Sequence, residues 1–337
     1  MKTYRAAIIG AGVIAKVHAK TLHENARTEL VAIADIAEER VRELAAAYGA
    51  APYTDYRVMI RERAPDIVII TLPHHLHQEA AIACASLGCH VLLEKPMALN
   101  AAECADIIEA SIAHNVMMAI GHMQHYYPAN QKAKEIVRSG RLGQLVAIHD
   151  RRHHPYFLPE RPAWFLEKSL SGGGIVINIG SHSIDKIQWL TGSAVRQVKA
   201  NLTFYGDRGN VEGSGIMFMQ TSAGVTATVS LCGYRNITAN ETELLFTGGQ
   251  LKIAGNKLWV SGSEREYEEI LLDEPVEPFQ AQWNDVLSVV DKGTGYVESA
   301  VYGQSVCAVV DAAYRSHESG AEELVTQFAD SPAGAAR

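Results

Sequence analysis

The chain has 337 residues, 47% of them hydrophobic and 20% charged, with a formal net charge of −8. That length exceeds what one hydrophobic core ordinarily serves and suits two domains, and the composition is that of a folded globular protein. The acidic balance speaks against nucleic acid and against an anionic membrane surface, both of which need a basic face.

From the N-terminus, near-continuous apolar runs alternate with stretches of helical period. Ala6–Ile9, Leu30–Ala34, Asp66–Thr71, His90–Leu93 and Met117–Ile120 read as strands buried on both faces of a parallel sheet. Glu38–Tyr48, closed by Gly49, Gln78–Leu87, and Ala101–His114 behind the N-cap Asn100 read as helices. Such alternation predicts a doubly wound, Rossmann-type α/β domain over residues 1–122. After it, Asn130–Ser139 reads as a helix. The chain then turns strand-rich: Gly224–Leu231 alternates at period 2, and Ser222–Gly224 and Thr247–Gly249 look like hairpin turns. Phe279–Asp291 and Ser299–His317 are helical in period, and the tail 331–336 is expected to fray. Residues 123–330 are therefore expected to form an α+β domain on a large, open, mostly antiparallel sheet. The run Ile216–Met219 is apolar on both faces, which predicts a covered outer face and a homodimer or homotetramer through that sheet.

Five cysteines without CxxC spacing fit buried thiols in a reducing compartment. No run approaches the ~20 apolar residues of a membrane helix, and Ala6–Ile9 is too short for a signal segment. The expected location is the cytoplasm.

Gly10-Ala11-Gly12-Val13-Ile14-Ala15 follows the first strand directly and has the form G-x-G-x-x-A. Its first glycine allows a tight turn, its second lets backbone approach a pyrophosphate, and Ala15 allows close helix–strand packing. Asp35 ends the second strand, where a carboxylate accepts from ribose hydroxyls and repels a 2′-phosphate. With no Arg or Lys at positions 36 and 37, the expected cofactor is NAD; nearby Arg40 leaves NADP open. Thr71, Pro73, His74 and His77 follow the third strand, on the nicotinamide side. Glu94-Lys95-Pro96 follows the fourth; Glu94 and Lys95 are expected to contact the cofactor, and Lys95 there can also donate to a substrate oxygen. Later, Gly172-Gly173-Gly174 opens a helix on which Asn178, His182 and Asp185 stand at i, i+4 and i+7 and share a face. That stripe reads equally as a catalytic surface or as a core histidine paired to Asp185.

Taken together, these pieces resemble the Gfo/Idh/MocA family of glucose–fructose oxidoreductases and inositol dehydrogenases. Gly10–Ala15, Asp35, Thr71–His77, Glu94–Pro96, Met123–Pro128 and Gly172–Asp185 occur in the family's order. The resemblance implies a dehydrogenase moving a hydride between NAD(P) and a secondary alcohol of a sugar, inositol or related polyol. It implies a catalytic lysine, carried onto Lys95, and a catalytic histidine, carried onto His182. Asn178 stands where the family commonly has Asp, and an amide can hydrogen-bond a hydroxyl but not take a proton. His125 stands where the family usually has Arg and is expected to contact substrate. The loop residues His153 and Trp164 are expected to line the substrate end, with ordinary packing as the alternative. Arg151, Arg152, Arg161 and Lys168 allow an anionic substrate without requiring one. Two other readings compete: a dinucleotide-binding sensor or scaffold without catalysis, and a metal hydrolase built on the His74/His75/His77, His122/His125 and His149/His153/His154 clusters. The expectation is no metal.

Overall fold

In the computed structural model the described residues are 2–235, 237–262, 266–272 and 277–326. The expected fraying of 331–336 lies outside them. The chain divides into two compact units.

The first unit holds residues up to Ala98, then Ala102–Gly121, then Glu277–Gln304. Its six strands are β1 (Tyr4–Ile9), β2 (Thr28–Ala34), β3 (Ala51–Tyr53), β4 (Ile67–Ile70), β5 (His90–Leu93) and β6 (Met118–Ile120). All pair in parallel in the order β3-β2-β1-β4-β5-β6. Between them run helices α1 (Val13–Glu24), α2 (Glu38–Tyr48), α3 (Tyr56–Arg63), α4 (His77–Ser86) and α5 (Ala101–His114). This is the doubly wound sheet that the apolar runs predict. Gly49, in the left-handed conformation, ends α2. The pair β3–α3 has no counterpart in the sequence reading; Asp55 caps α3, accepting from the Arg57 and Val58 N–H groups.

One boundary differs from expectation. Helix Pro278–Lys292 groups with the first unit, not with the second, where its position in the chain placed it. The cause is apolar burial. Trp283, Val286, Leu287 and Val290 share a core with Ala15, Ala19 and Leu22 of α1, and Trp283 Nε1 donates to Thr28 Oγ1 at 2.7 Å.

The second unit begins with helix α6 (Pro128–Ser139), strand β7 (Leu145–His153), the one-turn helix α7 (Lys168–Ser171) and helix α8 (Ser181–Thr191). Strands β8 (Val195–Thr203), β9 (Ser214–Thr221), β10 (Thr226–Cys232), β11 (Ala239–Phe246), β12 (Gly249–Ala254), β13 (Lys257–Ser261), β14 (Glu268–Ile270) and β15 (Glu323–Leu324) follow. With β7 they form a nine-stranded sheet in the order β14-β13-β12-β11-β7-β10-β9-β8-β15. Only the β7–β10 pair is parallel. Strand alternation sends Ile148, Asp150 and Arg152 to the buried face with Met217, Met219, Val229 and Leu231. On the other face Ile216 and Phe218 are exposed.

Candidate functional site

In the first unit the glycine loop and four strand ends form a cradle. Gly10 has φ 98°, and a Cβ there would sit 2.7 Å from both the carbonyl oxygen and Oγ1 of Thr71. Glycine is thus required twice, by conformation and by space. Thr71 Oγ1 in turn donates to the Ile9 carbonyl at 3.0 Å and so pins the loop. A Cβ at Gly12 would meet nothing, and Gly12 leads into α1 without a side-chain cap and without an acidic residue in the first turn. The first N–H groups of α1 thereby remain for an anion. Asp35 accepts from the N–H groups of Ala11 (2.7 Å) and Ala37 (2.8 Å), and Arg40 donates to it at 3.0 Å. Val13 is 86% exposed and Ile36 91%, large apolar side chains set in solvent on the same segments as the Gly loop and Asp35. Such placement suits a ligand with flat apolar faces. Ile14 is half-buried and Ala15 fully buried.

The remaining expected cofactor residues split into surface and support. Pro73 is half-buried at the start of a 3₁₀ turn, His74–Leu76, and His74 is buried with its ring 5.8 Å from that of His77. His77 is buried, and its two ring nitrogens each lie 2.8 Å from a backbone carbonyl oxygen, of Pro96 and of Leu72. The ring ties the segment after β4 to the segment after β5 through both of its nitrogens. Glu94 is likewise buried. Its Oε1 lies 2.8 Å from His18 Nε2, and its Oε2 accepts from the Lys95 N–H at 3.2 Å. Burial pushes the Glu94 carboxyl up, but the bond and charge of His18, with the charge of Lys95, outweigh it and hold the group below its usual value. His18, on α1, was not singled out from the sequence. It links α1 to the segment bearing Lys95, whose peptide bond to Pro96 is cis.

In the second unit the glycine-opened stretch is not the uniform α-helix that the i, i+4, i+7 spacing assumed. Val176–Gly180 is a π turn, and α8 follows it. The wider turn places Asn178 outside the regular register of His182 and Asp185. Asn178 is buried, and its Nδ2 donates to Tyr156 Oη at 3.4 Å. Asp185 is fully buried; its Oδ1 accepts from His125 Nε2 at 2.7 Å, and its Oδ2 lies 3.6 Å from His122 Nδ1. His125 lies flat on Trp189, centroids 4.7 Å apart, and the Lys134 ammonium sits 4.1 Å from the Trp189 ring centroid. Burial, then Arg138, push the Lys134 pKa down to about 8. His182, half-buried, stands one turn before this cluster.

The start of the helix is held by a residue with no local sequence signal. Glu212 is buried, and its carboxylate accepts from the Gly174 N–H (2.8 Å), the Val176 N–H (2.9 Å) and the Tyr314 hydroxyl (2.9 Å). A Cβ on Gly173 would collide with the Tyr314 hydroxyl, and one on Gly174 with the Glu212 carbonyl oxygen. The glycines of the motif therefore make room for this remote cap. Two other expectations separate. Trp164 stacks on Phe165 at 3.7 Å in the 3₁₀ turn Ala163–Leu166. His153 faces Ser230 on the opposite side of the sheet from Asp150, Arg152 and α8. Period-2 alternation thus removes His153 from the helix side. Arg151 pairs with Glu241 at 2.6 Å, and Arg152 is buried against Asp150 (3.2 Å) and Gln124 (3.2 Å). No group of three or more His, Cys, Asp or Glu side chains suited to a metal ion occurs among the described residues. No helix among them is long and apolar enough to cross a membrane.

Comparison with known proteins adds the family. Residues 4–122 match the oxidoreductase family with an NAD-binding Rossmann fold, and residues 130–252 match the Gfo/Idh/MocA C-terminal domain. The chain belongs to the Gfo/Idh/MocA family. Its first unit is accordingly the family's NAD-binding Rossmann domain. A 1-carboxy-3-chloro-3,4-dihydroxycyclohexa-1,5-diene dehydrogenase of Comamonas testosteroni is 28% identical over 238 residues, covering 70% of this chain and 60% of its own. Inositol 2-dehydrogenase of Salmonella typhimurium is 30% identical over 203 residues, covering 58% and 57%. The chain thus matches less than two thirds of the length of either. Levoglucosan dehydrogenase in complex with NADH superposes with a TM-score of 0.89 over 97% of this chain and all of its own, at 21% identity. That likeness establishes the fold.

Proposed function

We propose that this Gfo/Idh/MocA protein is an NAD-dependent dehydrogenase oxidising a secondary alcohol of a sugar, inositol or related polyol. The observation that carries the reading is the cradle of Gly10, Gly12 and Asp35 at an uncapped α1, together with relatives named for dehydrogenation of inositol and of a ring diol. Bound NAD would supply the hydride acceptor. In this reading Lys95 donates to the carbinol oxygen and stabilises negative charge as it develops there. His182 takes the hydroxyl proton directly or through water. Asn178, steadied by Tyr156, donates or accepts at a neighbouring hydroxyl and carries no proton in the reaction. The test is NADH formation with NAD and a panel of sugars and cyclitols. Absence of NADH with every member, with NAD binding intact, would leave the sensor reading instead.

The same geometry sets cofactor choice. A 2′-phosphate brought to the ribose site would meet the Asp35 carboxylate, while Arg40 is already engaged by it. NAD is expected to bind at least about tenfold more tightly than NADP, and Asp35→Ala to narrow the gap. Calorimetric titration of both proteins checks this, and tighter NADP binding by the parent would refute it.

We further infer that a second copy of the chain covers the outer face of the nine-stranded sheet, where Ile216 and Phe218 stand in solvent. Light scattering should find at least a dimer, and Phe218→Glu should shift it toward monomer. A monomeric parent protein would refute the assignment. The buried thiols Cys84 and Cys89 fit a reducing compartment, and we place the enzyme in the cytoplasm.

A further inference from the structure

We infer that Arg161 is a specificity residue and that the alcohol oxidised carries a carboxylate. The inference rests on the dehydrogenase reading above for the reaction and on the second unit alone for its geometry. The guanidinium of Arg161 lies 4.1 Å from the ring centroid of Tyr156 and 5.1 Å from that of Phe165. The Tyr156 hydroxyl receives the Asn178 amide at 3.4 Å, so Arg161 stands one aromatic ring away from the residue proposed to hold a substrate hydroxyl.

Its charge lacks an ion-pair partner among the described residues. Arg151 pairs with Glu241 and Arg152 with Asp150, but no carboxylate lies within ion-pair distance of Arg161 among the described residues. Its Nε is buried without a hydrogen-bond partner. A half-buried guanidinium laid on two rings is held rigid and partly desolvated, and leaving its donors unmatched is costly. Burial also pulls the Arg161 pKa down from its usual value, and its positive charge, after burial, depresses that of nearby His154. For Arg161 burial outweighs the opposing charge of Glu160, which marks a partly desolvated cation. A planar fork of donors matches a carboxylate. One guanidinium balances one negative charge, which favours a carboxylate over the dianion of a phosphate.

The test uses the full-length protein with matched pairs: glucose and glucuronate, galactose and galacturonate, with glucose 6-phosphate as the phosphate arm. The expected result is a kcat/KM at least about tenfold higher for the acid of a pair. In Arg161→Gln the acid-to-neutral ratio should fall about 30-fold, and in Arg161→Lys it should survive in part. A ratio unchanged by Arg161→Gln, or a phosphate preferred to both acids, overturns the inference. If no member forms NADH, acid binding to the NADH-loaded protein is read by calorimetry. Binding lost in Arg161→Gln but kept in Arg161→Lys upholds the carboxylate site while the dehydrogenase reading falls. Equal binding by parent and Arg161→Gln overturns the site itself.

Discussion

Lys95→Ala is expected to lower kcat by about 10²–10³-fold, and His182→Ala by about 10²–10⁴-fold, with the affinity for NADH within a factor of about two of the parent. The first figure is the usual cost of removing one donor aimed at a developing oxyanion; the second is that of removing a positioned base. Cofactor affinity is spared because the cradle is made by Gly10, Gly12, Asp35 and the start of α1. The backbone around Lys95 should also survive. Its N–H is held by Glu94, and the next residue's carbonyl by His77, neither of which uses the lysine side chain. Steady-state kinetics on an accepted polyol, with NADH titrations in parallel, decide the matter. Near-parent turnover in either variant would remove that residue from the proposed chemistry. Loss of NADH binding in Lys95→Ala would instead make the lysine part of the cradle.

The largest expected loss of stability comes from Asp150→Ala. Asp150 is fully buried beneath α8, facing Arg152 at 3.2 Å and Lys186 at 3.8 Å, and it accepts from the hydroxyls of Ser183 and Thr242. Removing it leaves two cations without their shared counter-charge, a change that costs about 3–5 kcal/mol. Lys186, whose pKa burial and then Arg152 already push down to about 8, can shed its proton, which favours the lower end of that range. Urea denaturation of parent and variant measures the difference, and a loss below about 1 kcal/mol would contradict the account. The pH dependence follows with its sign. Burial raises the Asp150 carboxyl, but Arg152, Lys186 and the two hydroxyls outweigh it, so its folded value lies below the ordinary 3.8. As pH falls, the unfolded chain takes up the proton first. The contribution is therefore complete above the carboxyl range and is lost as acid passes below 3.8 toward the folded value. Asp150→Ala should flatten that acid limb.

The parts of this molecule that were legible in its sequence are those whose physics is local. Runs such as Ile67–Ile70, buried on both faces, can hardly be anything but inner strands. Gly10 declares itself by opening G-x-G-x-x-A directly after the first strand, although the residue that requires it, Thr71, lies 61 positions on. By contrast β3 has three residues, one of them Pro52, and offers no period to read. The π turn at Val176–Gly180 is hidden because a spacing of four fits a regular α-helix equally well. His153 was legible in principle: counting in twos along β7 sets it opposite Asp150 and Arg152. Glu212 was not, since it caps backbone 38 residues earlier and no motif announces a cap at that distance.

Trp283 docks on a strand residue 255 positions before it, and that has a bearing on how the molecule comes into being. The nucleotide-binding half is not a self-contained opening module. While the ribosome is still making the second unit, the core that Ala15, Ala19 and Leu22 of α1 share with β1, β2 and α2 still lacks Trp283, Val286, Leu287 and Val290. Helix α1 thus gains part of its support from a segment synthesised after strands β7 to β14, and a fragment cut at the apparent domain border would lack that part of its core.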